Sequence, residues 1–146
     1  SDQRVRLVTP KGEIANVAVL GPERSAVQVE LSLTDARQLG VKAPVNLSGD
    51  LSGAGDVYLV GEKGMIPAPG SVIAARAHIH MTPGDAGRLG VSDGEVVRVC
   101  VEGDRPVTFD RVVVRVKASF ALAMHLDFDE ANACGLGNGA TGRIVR

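Results

Sequence analysis

One local pattern occurs three times in this chain and limits its fold more than any other feature. Residues 28–41 align without a gap with residues 78–91, an offset of fifty, and five of the fourteen positions are identical. A third, weaker copy at residues 125–136 is offset by a further forty-five and keeps an acidic residue, the alanine after it and a terminal glycine. Repeats of this kind indicate duplicated small structures. We therefore expect small barrels or sandwiches whose strand ends converge.

Each copy places three helix signals at the same spacing. The signals are a polar cap residue, an acidic residue three positions later and a glycine that ends the helix. In chain order they are Ser32, Asp35 and Gly40, then Thr82, Asp85 and Gly90, then Asp127, Glu130 and Gly135. The acidic residues also suit the positive end of a helix. The sequence thus predicts short helices over residues 34–39, 84–89 and 129–134, each after a strand end.

Short valine-rich runs lie between glycine, proline and aspartate residues along the chain. They are residues 4–8, 17–20, 27–31, 57–60, 72–75, 96–101 and 112–116. Only 3% of the residues are aromatic although 45% are hydrophobic, so the core must consist mainly of Val, Leu, Ile and Ala. These residue types favour strands. We predict a mainly β (α+β) protein with a duplicated strand-cap-helix unit.

Charge and composition exclude several classes of function. Sixteen basic and seventeen acidic residues give a net charge of −1, which disfavours nucleic-acid binding. No run approaches the roughly twenty apolar residues of a membrane helix, and no secretory leader opens the chain. We expect a soluble cytoplasmic protein with no membrane partner. The chain begins at Ser1 rather than Met, which leaves three alternatives open: a fragment of a longer chain, a proteolysed product or a natural minimal form.

The two cysteines do not indicate disulfide or thiol chemistry. Cys100 and Cys134 lie far apart and form no CxxC pair, unlike the closely spaced cysteines of secreted disulfide frameworks. Each lies in an apolar setting without a base nearby in the sequence. We expect both to be buried small hydrophobes and neither to be a nucleophile.

All three histidines of the chain fall on the repeated unit. His80 and His125 occupy the position of Glu30 in the first copy, and His78 occupies that of Gln28. Two residues apart on a strand, His78 and His80 project from the same face, and His125 would complete the set from another strand end. Three imidazoles with an open or weakly held fourth position are typical of a catalytic zinc site. Gln28 or Glu30 would supply the fourth ligand; the alternative is that the histidines are ordinary turn and core residues.

Two arginines are candidates for anion binding. Arg24 follows Gly21, Pro22 and Glu23, just before the strand that carries Gln28, and a guanidinium there suits a phosphate or carboxylate. Arg76 directly precedes the histidine pair and suggests a similar role. The alternatives are a solvated loop arginine at position 24 and a strand-end residue at position 76.

Five motifs in this order resemble the phosphate propanoyltransferases, the PduL-type phosphotransacylases, over nearly the whole chain. The motifs are Gly21-Pro22-Glu23-Arg24, Gln28-Val29-Glu30-Leu31-Ser32, Thr34-Asp35-Ala36-Arg37, His78-Ile79-His80-Met81, and His125-Leu126-Asp127 with Asp129-Glu130-Ala131-Asn132-Ala133. The resemblance implies two small β-barrel domains capped by short helices, which we place at residues 1–75 and 76–146. It implies reversible acyl transfer between coenzyme A and phosphate, with propanoyl-CoA or acetyl-CoA as the acyl donor.

The resemblance also implies roles for individual residues. The histidines at 78, 80 and 125 match the family's zinc ligands, Gln28 matches a further ligand, and Glu30 matches a ligand of a second zinc. Arg24 matches an arginine important for activity. The family's N-terminal segment, with its own His-x-His, is absent, so we expect the first barrel to lack a strand and the second zinc to lack two ligands.

The sequence leaves two other functions open. One is an inactive, zinc-stabilised binding module or scaffold, and the other is a metal-dependent thioester hydrolase. The family resemblance implies small-molecule partners, acyl-CoA and phosphate, and a location inside a bacterial microcompartment. A second copy of the chain and microcompartment proteins are the candidate macromolecular partners.

Overall fold

The computed structural model describes residues 2–137 and 139–146, so that Ser1 and Asn138 lie outside the described residues. It is mainly β, with 44% strand and 15% helix, and consists of two curled half-barrel sheets with three short helices. The predicted fold class is therefore confirmed. The chain divides into two compact units, Ser1–Ala75 and Arg76–Arg146, and each is described by itself.

The first unit contains a six-stranded sheet and one helix. Its elements are β1 (Arg4–Thr9), β2 (Gly12–Ala18), β3 (Val29–Glu30), α1 (Leu33–Leu39), β4 (Val45–Asn46), β5 (Gly55–Gly61) and β6 (Gly64–Ala75). The strands are ordered β2-β1-β5-β6-β3, and β4 also pairs with β6. Strands β1, β2, β5 and β6 pair antiparallel, whereas β3 and β4 each run parallel to β6.

One face of this sheet forms the core of the first unit. Leu7, Val57 and Val72 come from three different strands and are buried together. Leu39 at the end of α1 packs into the same cluster and is fully buried. The first unit therefore has the aliphatic core that the low aromatic content predicts.

The second unit contains a five-stranded sheet and two helices. Its elements are β7 (His78–Met81), α2 (Pro83–Leu89), β8 (Val96–Val101), β9 (Val107–Val116), β10 (Ala123–His125), α3 (Phe128–Cys134) and β11 (Gly142–Val145). The strands are ordered β10-β7-β9-β8-β11. Strand β7 runs parallel to β9 and antiparallel to β10, so it lies between two strands that come later in the chain.

The two faces of β7 have different surroundings. Ile79 and Met81 are buried in the core of the second unit, together with Val112 and Val114 of β9. Side chains alternate between the faces of a strand, so the histidines at positions 78 and 80 project from the face opposite the core. The alternation therefore places polar side chains on the outer face of a well-packed sheet.

The predicted helix signals act as expected. Ser32, Thr82 and Asp127 each accept a hydrogen bond from the backbone N–H three residues later. The glycine stops at positions 40, 90 and 135 have φ of 66°, 69° and 69°, the left-handed conformation that glycine adopts without strain. Each helix begins one residue earlier than predicted, because the residue directly after the cap is already helical.

Strand boundaries differ more from prediction. The strand predicted at residues 17–20 was wrong in extent, since β2 spans Gly12–Ala18. Strands β4 and β11 were not predicted, and β6 and β9 begin earlier than their valine runs. Cys134 is fully buried, as predicted, but Cys100 is only partly buried. None of the helices within residues 2–137 and 139–146 has the length and apolarity to cross a membrane.

Two glycines of the α2 region give a matched test of the helix stop. Gly90→Ala should lower the free energy of unfolding by about 1–2 kcal/mol, because φ is 69° there. Gly87→Ala should raise it by about 0.5–1 kcal/mol, because Gly87 is inside the helix and nothing lies within 4 Å of an added Cβ. Urea unfolding measures both. Equal effects of the same sign would contradict the assigned helix end.

Candidate metal centre

The three histidines meet where β7 and β10 pair. In the antiparallel register His125 lies opposite His78, and Ala123 lies opposite His80. One ring nitrogen from each histidine lies within 4.8 Å of the others. His125 is 45 positions after His80 in the sequence, so strand pairing alone brings it to the other two.

The imidazole rings pack against one another. The rings of His78 and His125 are stacked, with centroids 4.8 Å apart and an interplanar angle of 5°. The ring of His80 is tilted by 46° to that of His78 and by 50° to that of His125, at centroid distances of 4.8 Å and 4.3 Å. Three mutually close rings with two orientations can direct nitrogens toward one point.

A backbone contact fixes the ring of His78. Its Nδ1 lies 2.9 Å from the carbonyl oxygen of Arg76. A carbonyl only accepts hydrogen bonds, so Nδ1–H is the donor, and Nε2 of the neutral ring carries the lone pair. Metal-bound histidines commonly donate their second N–H in this way. The structure therefore shows Arg76 orienting a candidate ligand through its main chain.

Phe120 covers one face of His80. The two rings are stacked, with centroids 3.9 Å apart and an interplanar angle of 7°. A turn in which the Phe120 N–H donates to the Lys117 carbonyl at 3.0 Å folds the loop back between β9 and β10, and Lys117 Nζ lies 5.9 Å from the Phe120 centroid. Sequence reasoning missed Phe120. Its only signal was its place as the single aromatic residue of that loop.

The surroundings favour the neutral form of His80 and His125. The pKa of His80 is lowered, first by desolvation and then by positive charge on His125, His78 and Arg115. The pKa of His125 is lowered by desolvation and by the charge of His78. The neutral imidazole is the form that binds a metal ion.

The donor set fits a zinc ion. It comprises three imidazole nitrogens and contains no thiolate or carboxylate among the described residues of the cluster. Zinc binds imidazole well, and three protein ligands leave a coordination position for substrate. Zinc binding by these three residues is a proposal, and their chemistry suits that ion.

Gln28 and Glu30 lie in the first unit and contact each other. Gln28 Nε2 donates to Glu30 Oε1 at 2.7 Å and to Ser48 Oγ at 3.0 Å, and the Gly49 N–H donates to Gln28 Oε1 at 2.8 Å. The two side chains therefore share one face, as the repeat predicts. Their role as metal ligands stays a prediction.

Arg24 is exposed in the segment between β2 and β3, outside regular secondary structure. This agrees with its predicted place before the strand that carries Gln28. Its role in catalysis and substrate binding, and a substrate contact of Arg76, stay predictions.

Known proteins place this chain in a family. A family model described as phosphate propanoyltransferase matches residues 1–137. A phosphate propanoyltransferase of Leptotrichia buccalis is 54% identical over 145 residues, which cover 99% of this chain and 68% of the relative. The corresponding proteins of Sebaldella termitidis and Listeria monocytogenes are 51% and 48% identical, with the same coverage of 99% and 68%.

These matches assign the chain to the acyltransferase class of enzymes. The chain belongs to the phosphate propanoyltransferase family. The resemblance seen in the sequence motifs is thus confirmed.

The lowered pKa values predict a pH dependence for the metal-free protein. His80 and His125 should titrate below about 6.5, the ordinary value. As the pH falls through 6.5 the unfolded chain binds protons first, so the free energy of unfolding should decrease until the folded-state pKa values are passed. Imidazole NMR signals followed from pH 8 to pH 4 would measure both pKa values. Titration of either residue at or above 6.5 would contradict the assigned environment.

A Phe120→Ala variant is the control for that titration. Removing the stacked ring hydrates one face of His80, so its pKa should move back toward 6.5. The pKa of His125 should change less, since Phe120 stacks on His80. An equal shift of both would show that the stack is not a specific cause.

Proposed function

We propose that this protein is a zinc-dependent phosphate acyltransferase. It would interconvert acyl-CoA plus phosphate with acyl phosphate plus coenzyme A, and propanoyl-CoA or acetyl-CoA would supply the acyl group. The observation that carries the proposal is the cluster of three histidine nitrogens within 4.8 Å in a chain of the phosphate propanoyltransferase family. Packing in a core does not account for three histidines that lie together on the outer face of a sheet.

His78, His80 and His125 would hold the zinc ion. When bound, the ion would supply a Lewis acid for an oxygen of the phosphate or of the acyl carbonyl. Two contacts within the chain would orient these ligands before the ion binds. The Arg76 carbonyl sets the tautomer of His78, and Phe120 restrains the ring of His80. Gln28 and Glu30 remain candidate further ligands on the evidence of the repeat.

The reaction requires a phosphate oxygen to lie next to the carbonyl carbon of the thioester. An oxygen of phosphate attacks the thioester carbonyl carbon, the carbon–sulfur bond breaks, and coenzyme A leaves as the thiolate. Arg24 would bind phosphate through its guanidinium fork, with Arg76 as a second candidate. Holding both reactants in one site supplies much of the rate increase, since it replaces a bimolecular encounter. No covalent acyl-enzyme is needed.

The proposed setting follows from the substrates. Acyl-CoA and phosphate are small, soluble molecules, so a cytoplasmic enzyme would meet both. We also propose, on the family resemblance, that the enzyme works inside a bacterial microcompartment. A homo-oligomer or microcompartment proteins would be its macromolecular partners.

Release of free coenzyme A from propanoyl-CoA, with and without phosphate, tests the function. Metal content is counted in the same sample. The intact protein should release coenzyme A only with phosphate present and should carry at least one zinc ion per chain. His80→Ala should lower turnover by at least about 100-fold, because even outer-shell partners of a metal change activity by 10–100-fold. Lys63→Ala, at the exposed turn between β5 and β6, is the control and should leave turnover unchanged.

Each other outcome favours a different function. Release that does not depend on phosphate would indicate a thioester hydrolase. Bound zinc without turnover would indicate a zinc-stabilised binding module. Full activity of His80→Ala would remove the cluster from the mechanism.

A further inference from the structure

Arg115 lies beside the three-histidine cluster, on the neighbouring strand. Strand β9 runs parallel to β7, and Arg115 is the register partner of His80. Directly paired residues of neighbouring strands project from the same face of a sheet. The guanidinium therefore shares the outer face with the histidines, away from the core that contains Val112 and Val114.

The charge of Arg115 has no anionic partner in the part of the chain that the structure describes. Four other arginines pair with carboxylates: Arg6 with Glu13, Arg88 with Asp85, Arg98 with Asp110, and Arg143 with Glu102. No hydrogen bond or ion pair joins the Arg115 guanidinium to another described residue. The residue that it lies beside is His80, its register partner on β7.

An anionic ligand would suit this arrangement. Arg115 is partly buried, and desolvating a cation without a counter-charge is unfavourable. A metal ion held by the neighbouring imidazoles would add further positive charge. An anion that contacts both the guanidinium and the cluster would offset this repulsion.

We propose that Arg115 binds the oxygens of the transferred phosphate, next to the histidine cluster. The proposal rests on the proposed function and adds a substrate-binding residue to it. Inorganic phosphate and acyl phosphate both present several oxygens to a guanidinium, whose planar fork binds two at once. Register, not sequence proximity, assigns the role: Arg115 is 35 positions after His80 in the chain.

Coenzyme A also carries phosphate groups, so kinetics must separate the two sources. Arg115→Gln should raise KM for phosphate roughly 10- to 100-fold, the range for losing hydrogen bonds to a charged group. KM for propanoyl-CoA should change less than about 3-fold, and zinc content per chain should stay the same. Arg115→Lys should recover part of the loss, because it restores the charge but not the fork. Arg98→Gln, an exposed arginine of β8, removes the same charge and should leave both KM values unchanged.

A binding measurement keeps the inference independent of turnover. Inorganic phosphate should raise the thermal unfolding midpoint of the intact protein, and this rise should be lost in Arg115→Gln but kept in Arg98→Gln. An unchanged KM and midpoint response in Arg115→Gln would overturn the inference. So would a rise in KM for propanoyl-CoA alone, which would assign the guanidinium to coenzyme A, or a loss of zinc, which would assign it a structural role. If the intact protein shows no turnover, the proposed function fails while the phosphate response still tests Arg115.

Discussion

The antiparallel pairing of β7 with β10 is the interaction on which the candidate site depends. It places His125 opposite His78, and the parallel pairing with β9 holds the other edge of β7. Ile79 and Met81, between and beside the histidines, are buried in the core. Each contributes about 1.5–3 kcal/mol of apolar burial, so a slip of one residue, which would expose both and bury the histidines, is strongly disfavoured. The apolar residues of the strand thus hold the polar ones in place.

The repeated unit explains why polar side chains lie together at these strand ends. In each copy a strand ends at a cap residue, and a short helix then turns away and stops at a left-handed glycine. The copy in the first unit keeps this frame but carries Gln28 and Glu30 in place of the two histidines of β7. Gln28 donates hydrogen bonds to Glu30 and to Ser48. The same backbone frame therefore presents different polar groups in the two units.

Local signals made much of this predictable from sequence. Caps and glycine stops depend on a few neighbouring residues, so three helices and their ends were predicted within one residue. The period of two placed His78 and His80 on one face. Strand β2 was misjudged because Glu13 and Asn16 interrupt its apolar residues and none of its residues is fully buried. Asn16 also has a φ of 62° beside an irregular register with β1. The sequence could not predict that Phe120 and Arg115 lie beside His80. The conformation of a loop brings Phe120 there, and the register between β7 and β9 brings Arg115 there.

X-ray absorption at the zinc edge of the zinc-loaded protein would show whether strand pairing assembles one ion site from three imidazoles. We expect about one zinc ion per chain, nitrogen or oxygen neighbours at roughly 2.0–2.1 Å, and outer-shell scattering from about three imidazole rings. His125→Ala should remove one ring from that signal, since β10 supplies it. A spectrum dominated by sulfur, or one with no imidazole scattering, would show that these three histidines do not hold the ion.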